Sequence, residues 1–162
     1  MNRVRVYRRA QQLLPAAIHT VGLHGMAMSS GQLRYLLFGL LPARQSHGAV
    51  ALELARGAVD AIRYQGLAYF EGATCSRGAL SGGAPSRYET WRHLSLEGQG
   101  GDPVVCAEWI GVARDGVAPG RWRTVEASWR EGAYLTREVG REAWLAVLPS
   151  ACLAVYGWQD RG

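Results

Sequence analysis

A chain of 162 residues is the size of one domain and can bury about two-thirds of its unfolded surface without disulfide or metal staples. Its 18 basic residues against 13 acidic ones give a net charge of +5, and every basic residue is arginine. The absence of lysine sets aside the phosphate-loop, protein-kinase and Schiff-base chemistries, each of which needs a lysine amine.

A composition 48% apolar and 19% charged is that of a folded soluble domain rather than a disordered chain. Cys75, Cys106 and Cys152 lie too far apart for a zinc knuckle or redox pair, and an odd count does not suit a disulfide framework, so a cytoplasmic location is expected. Residues 1–48 hold Arg3, Arg5, Arg8, Arg9, Arg34 and Arg44 and no acid, which places the whole positive excess at the N-terminal end. Such asymmetry points to an anionic partner, either nucleic acid or an acidic protein surface. A GC-rich genome also yields arginine in place of lysine, yet guanidinium forks bind phosphate whatever the origin of their use.

Residues 3–14 predict a short helix with Val4, Tyr7, Gln11 and Leu14 on one stripe and Arg5, Arg8, Arg9 and Gln12 on another, stopped by Pro15. Pro15, His19 and His24 interrupt the apolar stretch behind it and no clean cleavage site follows, so no secretion signal is read. Residues 20–30 read as a loop, and 32–41 as a buried strand whose apolar run is too short to cross a bilayer. No other apolar stretch is long enough, so no membrane span is expected. Ser46 is a candidate N-cap for a main core helix ending at Gln65, with Gly66 as its terminating glycine. A strand over 67–74 and a glycine-rich loop over 76–85 follow.

Residues 87–130 predict a tryptophan-bearing antiparallel meander: strands over 86–97, 104–113 and 121–130, with glycine-rich turns between. A helix over 133–148, ended by Pro149, and a strand over 151–158 complete the chain. The expectation is one α+β domain over 1–162, with a basic helix and loop over 1–30. The core over 31–158 is then an antiparallel sheet of five or six strands packed on a long helix.

Alternation divides the meander into two faces. Leu94, Leu96, Val104, Cys106, Ile110, Val112, Val125, Ala127 and Trp129 form the core face. Arg87, Trp91, His93, Trp109, Trp122, Thr124 and Arg130 share the other with Glu89 and Glu126. Tryptophans with arginine and histidine between them suit single-stranded nucleic acid, because rings stack on bases and guanidinium groups neutralise phosphate. The competing reading makes this face a second buried side, or a contact with another protein.

His19, His24, His47 and His93 are the histidines available for catalysis or metal binding, and none has a carboxylate or cysteine at a ligand spacing. There is no G-x-S-x-G elbow either. No cofactor and no metal is expected.

The segment beginning Ser46-His47-Gly48 resembles the hotdog thioesterase arrangement, in which a His-Gly pair opens the central helix and an acid lies near it. The resemblance covers residues 46–60 and implies acyl-thioester hydrolysis, with His47 and either Asp60 or Glu53 at the site. Ala49 stands where that family has a second glycine, and Gly57 interrupts the helix. The leading expectation is a non-catalytic protein that binds nucleic acid through Arg5, Arg8, Arg9, Arg87, Trp91, His93, Trp109, Trp122 and Arg130. A structural or assembly protein is the first alternative and the hotdog-like hydrolase the second.

Overall fold

Helix α1 (Arg3–Gln12) opens the fold in this computed structural model, which describes residues 3–28, 45–78, 84–94 and 119–161. Arginine, glutamine and alanine favour helix, and Pro15 cannot continue it. The helix is turned from its predicted stripe: Val6, Ala10, Leu13 and Leu14 are buried, whereas Val4 is 59% exposed. The adjacent Leu13 and Leu14 set the docking phase.

Residues Thr20–Met28 form a strand, β1, where a loop is predicted. The glycines that suggest a loop mark irregular register instead, with shifts between Thr20 and Gly22 and between Leu23 and Gly25. Bulges of this kind are common in edge strands. Strand β2 (Gln45–Leu54) follows and replaces most of the predicted core helix. It lies between β1 and the last strand, β6 (Leu153–Arg161). Ala49, Val50, Ala51 and Leu52 are all buried, because both faces of a central strand are covered. An alanine-rich run without alternation is what sequence periodicity confuses with helix. The predicted helix survives only as α2 (Arg56–Gln65), which ends at Gly66 with φ 61°. A 3-10 turn (Gly66–Phe70) occupies the predicted strand over 67–74.

Strand β3 (Arg92–Leu94) falls within the first predicted meander strand. The third becomes helix α3 (Pro119–Glu131). Val125, Ser128 and Trp129 are buried and Ala127 is exposed, which is the i, i+3, i+4 spacing of a helix rather than the i, i+2 of a strand. The predicted helix over 133–148 is a hairpin of β4 (Ala133–Arg137) and β5 (Ala143–Leu148). Gly140 takes φ 80° in the connecting turn, and Val139 beside it is exposed. The predicted strands over 32–41 and 104–113 lie outside the described residues.

The six strands form one antiparallel sheet in the order β1-β2-β6-β5-β4-β3, which with its helices gives the expected α+β class. Among the described residues no long helix packs on it: α1 and α2 have 10 residues each and α3 has 13. Both sheet faces are covered. Val50, Leu52, Leu145, Tyr156 and Trp158 meet Ala10, Leu14, Val59, Ile62, Phe70 and Trp91 on one face. Ala49, Ala51, Ala146 and Val155 meet Val125 and Trp129 on the other. No helix among the described residues is long and apolar enough to cross a membrane.

Candidate functional site

Helix α1 lies against edge strand β1 and is tied to its backbone. The Arg3 guanidinium donates to the Leu23 carbonyl at 2.8 Å and the Tyr7 hydroxyl to the Thr20 carbonyl at 2.7 Å. Gln11 Nε2 donates to the Tyr7 hydroxyl at 2.6 Å and to Thr20 Oγ1 at 3.1 Å. With the apolar stripe docked, Arg5 and Arg8 stand exposed and Arg9 is half-buried.

The C-terminal end of α1 is closed by a residue that the sequence does not single out. Arg77 donates to the carbonyls of Ile18 at 2.6 Å and of Ala16 and Gln11 at 3.3 Å, and its own N–H reaches the Leu14 carbonyl. Burial lowers the Arg77 pKa from its ordinary value, while Tyr7 and Tyr69 act the other way. A cation on the last carbonyls of a helix also complements its dipole.

At the far margin of the same sheet face, four rings follow one another. Trp91 stacks on Phe70 at 4.3 Å with 24° between planes. Phe70 lies 4.9 Å from Tyr134, and Tyr134 lies 4.8 Å from His93. Trp91 is 6% exposed, and its Nε1 donates to the Ala73 carbonyl at 2.9 Å. Its ring is therefore core, a correction to the predicted exposed face. Tyr134 is half-buried and His93 is exposed. Desolvation raises the Tyr134 pKa.

A third polar group closes the β4–β5 turn. Glu138 is 4% exposed; its Oε2 accepts the Tyr156 hydroxyl at 2.6 Å and its Oε1 lies 3.8 Å from the Arg141 guanidinium. Burial above all, then the neighbouring Tyr88 and Glu138, hold the Tyr156 hydroxyl well above the ordinary tyrosine range. Tyr88, also raised mainly by burial, donates to the Leu13 carbonyl. These groups are all used within the fold. On β1 and β2, His24 Nδ1 lies 3.6 Å from Glu53 Oε1. Among the described residues, no three His, Cys, Asp or Glu side chains converge as metal ligands would.

The residues proposed from sequence therefore separate. Arg5, Arg8 and Arg9 share α1, on the face that also carries the ring series with Trp91 and His93. Arg130 is exposed on α3, which packs on the opposite face, and lies 3.5 Å from Glu126. Arg87 is exposed where the chain bridges to Cys75. Trp122 belongs to α3 by its backbone, its side chain lying outside what is described, and Trp109 is outside the described residues altogether. His47 and Gly48 lie within strand β2, so the helix start on which the hotdog resemblance depends is not present. Tyr134 was concealed by a helix assignment, although the alternation in Ala133-Tyr-Leu-Thr-Arg137 carried its signal. Compared with protein-family models, curated proteins and solved structures, the chain matches none.

Proposed function

We propose that this chain is a non-catalytic binding protein that holds nucleic acid by its phosphate backbone through helix α1. One observation carries the reading: α1 docks by its apolar stripe and leaves Arg5 and Arg8 exposed, in a stretch of 48 residues without an acid. Trp91 is left out of the site, because a buried ring offers no face to a base.

Replacing Arg5 and Arg8 by alanine is expected to weaken oligonucleotide binding and to lower the slope of log affinity against log salt by about 0.7 to 0.9 per lost phosphate contact. The thermal midpoint should stay near that of the parent, since neither side chain is in the core. An unchanged salt slope removes α1 from the interface. A second reading, contact with another protein in an assembly, is favoured by Tyr64, which is 91% exposed at the end of α2 close to the exposed Leu67. Absence of binding to any oligonucleotide leaves that reading in front.

A further inference from the structure

The ring series at the β3–β4 margin is anchored at one end and open at the other. Phe70 and Trp91 are buried, Tyr134 is half-buried, and the His93 ring ends the run in solvent. His93 packs against Tyr134 and the Gly132 backbone. Gly132 has φ +138°, and a Cβ built there would come 2.5 Å from His93 Nε2 and 3.0 Å from its Cε1, so the imidazole rests where a side chain on residue 132 would have to stand. An exposed aromatic ring fixed in advance loses little freedom when a flat partner lies on it.

From this geometry we propose that His93 and Tyr134 form a stacking seat for one unpaired nucleic-acid base, which makes single strands the preferred ligand; the proposal rests on the backbone-binding reading of α1. The planar partner must offer a free ring face, and duplex bases have theirs covered by neighbouring bases. The chain's net charge of +5 fits the same ligand. Helix α1 covers the same sheet face as the ring series. Four strand spacings separate β1 from β4, roughly 19 Å. A stacked single strand at about 3.4 Å per nucleotide covers that span in about six nucleotides, within the ~4–16 that single-strand-binding domains engage.

The test compares a short dye-labelled oligothymidine, an abasic strand of equal length and the corresponding duplex, by fluorescence anisotropy on the full chain. The base-bearing strand is expected to bind roughly 5- to 150-fold more tightly than the abasic one. His93→Ala should collapse that ratio towards one, and His93→Phe, which keeps a ring, should restore it. Equal affinity for the two strands, or a ratio that survives His93→Ala, overturns the stacking seat. If affinity still falls with Arg5→Ala and Arg8→Ala in that case, the backbone reading stands without it. If no strand binds, both fall together.

Discussion

The side chain of Trp91 shows how one residue can pass from a proposed surface to the core without any change in local chemistry. Its parity in the sequence is shared with His93, and both do lie on one face of the molecule; what differs is depth. Phe70 covers the indole at 4.3 Å and the Ala73 carbonyl takes its N–H at 2.9 Å. Trp91→Ala is therefore expected to lower unfolding stability by on the order of 3–5 kcal/mol, read from the urea midpoint. Trp129→Ala, on the opposite sheet face and equally buried, should behave alike. A cost for Trp91→Ala below about 0.5 kcal/mol, the range of surface positions, would return its ring to the surface.

At the level of elements, what could be read in advance was what local chemistry decides. The basic helix ahead of Pro15, the glycine terminus at Gly66 and the last strand all follow from local residue choice. What could not be read was decided by distant partners. Alanine-rich β2 is a strand because β1 and β6 flank it, and α3 alternates well enough between Arg121 and Arg130 to pass for a strand until Ser128 is seen to be buried and Ala127 exposed. The candidate site was half legible: α1 and His93 can be named from the sequence, while Tyr134 and Arg77 needed the fold. The junction between α3 and β4 shows how tightly such elements are coupled. Gly132→Ala places a methyl both at an unfavourable φ and against His93, and is expected to cost about 1–3 kcal/mol. In a double-mutant cycle, His93→Ala should relieve the contact part of that loss and leave the backbone part. Strict additivity of the two changes would mean that the imidazole does not rest on Gly132.

For the whole molecule, two buried tyrosines make stability sensitive to alkali. Tyr88 and Tyr156 have folded-state pKa values raised above the ordinary value, chiefly by burial, so the native state keeps protons that the unfolded chain releases. Their contribution is complete below about pH 10 and is lost as pH rises from there towards the folded values. Each can steepen the loss by about 1.4 kcal/mol per pH unit. Urea unfolding from about pH 8 to about pH 11 should show this decline. Tyr88→Phe should make it shallower, at a cost of about 1 kcal/mol near neutrality for the lost bond to Leu13. A variant with an unaltered alkaline slope would show that Tyr88 is not the titrating group.

The placement of β2 between β1 and β6 also has a consequence in time. On the ribosome, β2 is finished at Leu54 and β6 begins at Leu153. At ~5–20 residues per second the interval is roughly 5–20 s. Through that interval the newly made Ala49-Val-Ala-Leu52 segment has one strand edge unsatisfied, and its apolar side chains await both covering layers. Such a segment is a natural target for a nascent-chain chaperone, and for mispairing between neighbouring chains on one message.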